Sequence, residues 1–314
     1  MCSDPHCGHF ISLPSTHALL CNAQLFFAVP DHPWAEEGAA VRISMTGAEL
    51  ENSKTIITIP QLGILVSEGE GDTPEDRAIQ VKVDFRNVGK IFSNLQAGAD
   101  ITKAQILSST KELASKGFEV GSSGFIINEN IKNNLEQNVV HPFVTGRDLA
   151  QISENRYAID VNHLSDEELS LCYSKTYQWL IQNVKPERDI NNDPKLRREW
   201  WRYRRANSSI RNAIKGTDRY IATTRTAKHR VFQFMSSSVM SESGVVMIFL
   251  EDAYFLGILS SNLHISWSIA AGGWMGAGND PVYNHVRCFY TFPFLDATLE
   301  QKEKIRQLGE RLDN

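Results

Sequence analysis

The 314-residue sequence has few cysteines, and the five present (Cys2, Cys7, Cys21, Cys172, Cys288) are odd in number and scattered, which argues against a disulfide framework. Cys2, His6, Cys7 and His9 crowd the N-terminus, but no second ligand pair follows at finger spacing. A tail with free thiols is expected there, and no metal site is assigned. The longest apolar run, Tyr254 to Ala271, is interrupted by Ser260, Ser261, Asn262, His264, Ser266 and Ser268, so it reads as a buried helix rather than a membrane span. The first ten residues lack the basic and apolar regions of a signal peptide, which points to the cytoplasm. Internal repeats and low-complexity tracts are missing too.

Catalytic signatures are equally scarce. Neither Gly-x-Ser-x-Gly nor Gly-Lys-Ser/Thr occurs. The glycines at Gly272, Gly273, Gly276 and Gly278 follow a helical pattern and run into Asn-Asp-Pro, whereas a dinucleotide fingerprint follows a strand and opens a helix. Asp84 and Glu112 belong to no spaced Asp…Glu-x-Lys cluster of the nuclease kind, and His264 reads as a hydrogen-bonded core histidine. No catalytic, cofactor-binding or metal-ligating residue is assigned.

Positive charge is concentrated instead. The chain carries a net charge of −5, yet Lys185 to Phe234 holds fourteen cations against five anions. Everything outside that stretch therefore sums to −14. Such an excess in an acidic chain calls for a polyanionic partner, a dense internal salt network or a solvated basic face. Arg predominates over Lys, and Trp200, Trp201, Tyr203 and Tyr220 are interleaved with it. Guanidinium forks suit phosphate and guanine edges, and rings supply stacking faces, so nucleic acid is the leading reading.

Along the chain, Gln24–Val29 and Ala39–Thr46 read as strands around a loop bracketed by Pro30 and Pro33. Further strands are expected at 54–59, 63–68 and 78–85, the last alternating strictly at Ile79, Val81, Val83 and Phe85. The pattern predicts helices at His17–Asn22, Thr102–Lys116 and Glu129–Leu135. A capping box at Ser165 to Glu168 opens a helix to Val184, stopped by Pro186. Arg219–Phe234 predicts a hairpin whose basic tip is Arg225–His229. Strands at Arg156–Val161 and Val245–Leu250, and an exposed, charged helix over Thr298–Arg311, complete the pattern.

Several motifs share an order and spacing that resemble the C-terminal part of the MmeI-like family of bacterial DNA adenine-N6 methyltransferases. They are Phe27 to Trp34 with Gly38 to Ile43, Gly146 to Leu149, Val184 to Asp189, Trp200-Trp201, Arg219 to Phe234, Leu256 to Ser261, Gly278 to Tyr283, Arg287 to Phe289 and Phe292 to Phe294. The resemblance implies an α+β chain in three parts. Residues 1–50 would be the final strands of a truncated methyltransferase α/β sheet, 51–240 a mixed β-sheet target recognition domain, and 241–314 a helical C-terminal segment. It also implies a restriction–modification or phage-defence setting and, in the full-length family, S-adenosylmethionine. The family's Gly-rich cofactor loop and Asn/Asp-Pro-Pro-Tyr/Phe tetrapeptide are not matched here. The Asn-Asp-Pro sequences beginning at Asn192 and Asn279 continue with Lys195 and Val282.

The expectation is a module that recognises duplex DNA sequence and does not methylate alone. Arg197, Arg198, Arg202, Arg204, Arg205 and Arg211 are expected on phosphates. Arg225 or Arg230 is expected on guanine, with His229 or Thr226 assisting, and Lys228 is a further expected nucleic-acid contact of the tip. The expected partners are duplex DNA and a methyltransferase domain, upstream in the same polypeptide or on a separate chain. The alternatives are one half of a split methyltransferase completed by a partner chain, or a degenerate remnant without DNA affinity.

Overall fold

The computed structural model describes residues 23–36, 39–50, 59–69, 80–92, 95, 97, 101–151, 154–275 and 280–313. The expected turn at His17–Asn22 and the N-terminal Cys/His group lie outside them, as does the strand expected at 54–59 except for Ile59. Contacts divide the chain into two compact units, Met1–Ala104 and Gln105–Asn314.

In the first unit, β1 (Ala23–Glu36) runs straight through the stretch that its prolines mark as a loop. A register shift against β2 (Ala39–Leu50), between Val29 and His32, takes up the irregularity. Proline is tolerated in a strand at such a bulge because its missing N–H falls where the ladder is already broken. β3 (Gln61–Ser67) runs parallel to β1, and β4 (Lys82–Asn87) antiparallel to β3, giving the order β2-β1-β3-β4. Leu25, Ala28, Ile91 and Leu95 form its small core.

The second unit starts with a correction. No helix forms over Thr102–Lys116; a single 3-10 turn at Ile101–Lys103 gives way to turns and then to β5 (Ala114–Lys116). Glu112 sits at φ 69°, a left-handed conformation that breaks a helix, and pairing of β5 with a distant strand outweighs local propensity. Next come β6 (Ile126–Ile127), α1 (Glu129–Lys132), β7 (Val140–Val144), α2 (Gly146–Ala150) and β8 (Arg156–Ile159).

The Ser165/Glu168 capping box forms as expected, with Ser165 N donating to Glu168 Oε2 at 2.9 Å, and opens α3 (Asp166–Cys172). The helix does not continue to Val184. It breaks at Tyr173, and α4 (Ser174–Asn183) restarts beneath Glu136, whose carboxylate accepts the backbone N–H groups of Lys175 and Thr176 at 3.2 and 2.9 Å. α4 ends at Asn183 with Val184 as its C-cap, as expected before Pro186, and that proline also lies in the first turn of α5 (Lys185–Asp189), where its missing N–H needs no partner. α6 (Pro194–Arg198) and α7 (Ser208–Ile214) follow.

The expected hairpin is present: β9 (Arg219–Thr224) pairs antiparallel with β10 (Gln233–Ser236), although the connection is longer than the pattern suggests. β11 (Met240–Ser241) joins the sheet β11-β7-β8-β6, and β12 (Val245–Ile248) lies inside the sheet β10-β9-β12-β5. The apolar run after it forms two helices, α8 (Ala253–Leu259) and α9 (Asn262–Ala271). They divide at Ser261, whose Oγ caps α9 by accepting from His264 N. A two-stranded sheet, β13 (Gly273–Met275) and β14 (Asp280–Val282), then α10 (His285–Cys288) and α11 (Leu299–Asp313), complete the unit. α11 is not wholly exposed: Gly309 is buried against Ala253, and Arg306 holds Asp252 through two 2.8 Å hydrogen bonds. The α+β class read from the sequence is the class observed.

The main core corrects one more expectation. Trp200, Trp201, Tyr203 and Tyr220 are 6%, 9%, 3% and 0% exposed, so they pack with Phe118, Phe125, Leu169 and Leu180 and offer no stacking faces. Three of them place their polar atoms on internal partners. Trp201 Nε1 donates to Leu164 O at 3.0 Å, Tyr203 Oη to Ile159 O at 2.8 Å, and Tyr220 Oη to Val239 O at 3.0 Å. Trp201→Ala is expected to lower stability by about 3–5 kcal/mol, read as a lower urea midpoint.

A second core surrounds His264, which is fully buried, stands 2.9 Å from Tyr283 Oη through Nε2, and meets Phe232 and Phe292 edge-on. Burial, and then the charge of Arg230, push its pKa down to about 3. The folded chain keeps it neutral while an unfolded chain protonates it below about pH 6.5. Its contribution to stability is therefore complete above pH 6.5 and declines as pH falls toward 3. About 2 kcal/mol should be lost between pH 6.5 and pH 5, and urea midpoints of His264→Phe should vary less across that interval.

Candidate nucleic-acid interface

The arginines of the segment after α5 face outward because its aromatic residues face inward. Two short helices, each with proline in its first turn, and the N-cap Asp193, which accepts from Lys195 N at 2.9 Å, give the chain a repeating bend. Leu196, Trp200, Trp201 and Tyr203 enter the core. Arg197, Arg198, Arg204 and Arg205 are left exposed, with side-chain exposures of 74%, 63% and 62% for the last three.

Their ion pairs are loose. Glu199 stands 3.3 Å from Arg198 and 3.4 Å from Arg202, and Glu119 stands 3.4 Å from Arg204 and 3.5 Å from Arg205. Exposed pairs of this length are worth about 0–1 kcal/mol, so a phosphate can displace them. Arg202 is less free: its guanidinium lies 5.7 Å from the Trp201 ring and its carbonyl accepts from the buried Arg188.

Two of the expected contact residues serve the scaffold. Arg211 is ion-paired with Asp160, whose side chain is only 2% exposed, and lies 5.1 Å from the Phe118 ring. Burial alone would raise the Asp160 carboxyl, but the hydrogen bond and charge of Arg211, with help from Asn162, bring it below the ordinary carboxylate value. Arg230 donates to Thr224 O and, at 3.0 Å, to Pro281 O, and covers the Tyr283 ring at 5.2 Å. Burial pulls its pKa below the ordinary guanidinium value.

The tip of the hairpin differs. Arg225, Thr226, Lys228 and His229 are exposed, and among the described residues their side chains have no hydrogen-bond or ion-pair partner. The backbone beneath them is held on two sides. Arg225 N donates to Gly244 O at 2.7 Å, Tyr283 N donates to Arg225 O at 2.7 Å, and Thr226 bridges to Val282. Arg225 also adds to the field on His285, which burial, then Lys116 and Arg225, hold below the ordinary imidazole value.

A cleft of about 550 Å³ opens beside this tip, lined by Arg225 and Thr226, by Glu242 and Gly244 from the turn before β12, and by Thr145, Gly146 and Arg147 at the start of α2. Arg156 also lines it but is committed to Asp148 at 2.8 Å. Asp148 in turn accepts from Thr145 N and Oγ1 at 2.7 Å. Burial would raise Asp148, yet those hydrogen bonds, that from Glu154 N and the charge of Arg156 hold it below its ordinary value. Arg147 and Glu242 were not singled out by sequence reasoning. Gly146-Arg-Asp was visible as a motif, but nothing in the chain signals that residues 147, 225 and 242 converge.

Asp193 caps α6, and Asp280-Pro281 lies in β14, paired with β13. Among the described residues no group of three or more His, Cys, Asp or Glu side chains could hold a metal ion, and no helix is long and apolar enough to cross a membrane.

This arrangement of sheets and helices is a known one. It recurs within a restriction–modification enzyme: the chain is similar to the type IIL restriction–modification enzyme MmeI, solved in complex with DNA, at a TM-score of 0.72 and 16% identity. That match covers 95% of this chain and 39% of MmeI. A comparison with the type IIG restriction endonuclease BpuSI gives a TM-score of 0.36 at 8% identity over 94% of this chain and 39% of that one, too low to support an argument. No family model matches, and no curated protein matches. The MmeI likeness is one of fold.

The two kinds of arginine should separate on heating. Asp160→Asn strands Arg211 and is expected to cost about 3–5 kcal/mol, whereas Arg198→Ala should stay within about 0.5 kcal/mol, as read from thermal denaturation at neutral pH.

Proposed function

We propose that this chain is a sequence-specific duplex DNA recognition module of a type II restriction–modification or phage-defence DNA adenine-N6 methyltransferase. The observation that carries the reading is the division of labour among its arginines. Arg198, Arg204 and Arg205 are exposed and weakly paired, and Arg197 is exposed with a hydrogen bond to the Asn191 carbonyl, while Arg188, Arg211 and Arg230 are turned to internal partners. A basic segment that existed only as an internal salt network would not leave the first group free.

The exposed arginines are connected to the hairpin tip through a few residues. Arg205 pairs with Glu119 along the backbone, Phe118 bridges to Glu242, and Glu242 lines the cleft with Arg225. Phosphate contacts on one side and base-reading side chains on the other follow the usual split between positioning and specificity. The fold likeness to MmeI, described in complex with DNA, supports the same reading.

The module reads as part of a larger enzyme, since it spans 39% of MmeI. Under this reading the S-adenosylmethionine site and the adenine-handling tetrapeptide belong to a methyltransferase domain outside this chain, in the same polypeptide or supplied by a partner. Residues 1–50 then continue that domain, 51–240 read the target, and 241–314 support the reader.

Fluorescence polarisation of the full chain with random-sequence duplex tests the proposal. Binding should weaken steeply with salt, and removal of Arg198, Arg204 or Arg205 should each lower affinity evenly across sequences and reduce the salt slope by about one. Arg225→Ala should cost about 1–3 kcal/mol on the preferred site and little elsewhere. Absence of binding at low salt would favour a remnant without DNA affinity. Methyl transfer to DNA on mixing with a methyltransferase fragment would favour a split enzyme.

A further inference from the structure

The cleft beside the hairpin tip contains an acid that neither the fold nor the phosphate contacts account for. Glu242 is partly buried, lines the same cleft as Arg225 and Arg147, and forms no ion pair or side-chain hydrogen bond with either among the described residues. Opposite charges that share a cleft without closing to 4 Å leave room for something between them. At about 550 Å³ the space far exceeds the roughly 30 Å³ of one water molecule.

The mounting of both groups is rigid. Arg225 follows directly on β9, at the residue after Thr224, which is paired with Val245. Glu242 sits three residues before Val245 in a turn closed by Val245 N donating to Glu242 O at 2.9 Å, and its own N–H donates to Val144 O at 2.8 Å. The Arg225 backbone is fixed from both sides by Gly244 and Tyr283. Side chains carried on locked backbone at one end of a sheet keep a constant spacing, as reading a base pair requires.

A carboxylate facing DNA is repelled by phosphates, so it is productive only where a base presents a donor. In the major groove cytosine offers its N4 amino group, and guanine, its partner, offers the adjacent O6 and N7 acceptors that fit a guanidinium fork. An unpaired arginine and an unpaired glutamate in one cleft match those two halves. Arg147 adds positive charge around the acid, which reduces its repulsion from the backbone. A free phosphate or polyphosphate is a worse fit, because Glu242 would face it.

We infer that the cleft reads a single G·C base pair, Arg225 donating to guanine and Glu242 accepting from the cytosine amino group. This deepens the proposed function and rests on it. Glu242 is thus a specificity-determining residue rather than a structural one.

The test is selection of bound duplexes by the full chain from a library randomised at internal positions, followed by sequencing. The wild-type protein should enrich a site, and Glu242→Ala and Arg225→Ala should each lose about 5- to 150-fold of discrimination at the same G·C pair. Placing 7-deazaguanine there should weaken wild-type binding and leave Arg225→Ala unaffected. Glu242→Asp, which keeps the acceptor, serves as the variant that preserves some preference for that pair. Circular dichroism of Glu242→Ala should match that of the wild-type chain. An unchanged enriched site in Glu242→Ala, or effects of Glu242 and Arg225 at different base pairs, overturns the inference while the recognition function stands. Absence of salt-dependent binding by the wild-type chain overturns both.

Discussion

The carboxylate of Asp160 is the tie on which the arrangement of the basic segment depends. It lies at the end of β8 with 2% of its side chain exposed, and it takes the guanidinium of Arg211 from α7. Asn162 adds a 2.8 Å hydrogen bond to the same carboxylate, and its own Oδ1 accepts from Tyr203 N at 2.7 Å. Tyr203 returns its hydroxyl to Ile159 O, beside Asp160. A closed circuit of polar groups therefore fastens the segment to β8 at two points, Tyr203 and Arg211. Everything between them, Arg204 and Arg205 included, is aimed by that fastening. A buried charge of this kind is weak as a source of stability but strict about geometry, because either partner left alone is costly.

Seen this way, the net charge of Lys185–Phe234 is two populations with opposite fates. Arg188, Arg211 and Arg230 each turn at least one guanidinium nitrogen to a backbone carbonyl or a buried acid, and Arg219 meets Glu310 and the Phe234 ring. The outer group keeps its donors in reach of solvent. Counting cations in the sequence could not separate them, since the sorting depends on which carbonyls and acids the fold delivers to each position. The aromatic residues were misread for the same reason: interleaving with arginine suits a stacking platform and an amphipathic wrap equally, and burial decides.

Local chemistry was the legible part. The capping box at Ser165, the hairpin around Arg225 and the strand at Val245 all follow from turn residues, alternation and caps, which act over a few residues. The errors came from longer range. Thr102–Lys116 has helical spacing, but Ala114–Lys116 is drawn into a sheet by a strand 130 residues later. The run from Tyr254 to Ala271 has the composition of one helix and is divided by a single serine that can cap the next. Within the site, Arg225 could be chosen from a basic turn, whereas Glu242 and Arg147 could not, because three distant segments meet only in the folded chain.

The position of β12 carries a consequence for how the chain reaches this state. It is an inner strand, flanked by β9 and β5, and it is made of residues that leave the ribosome after both neighbours. Until Val245–Ile248 emerges, β9 has one free edge rich in Tyr, Ile, Ala and Thr, and β5 has no partner at all. Closure then joins residues more than a hundred positions apart, a slow event dominated by loop entropy. During synthesis the reading hairpin passes through a stage as an exposed, apolar sheet edge, the kind of intermediate that pairs with other chains. Expression yield and chaperone dependence should accordingly be governed by the stretch following residue 244 more than by the basic segment that gives the protein its character.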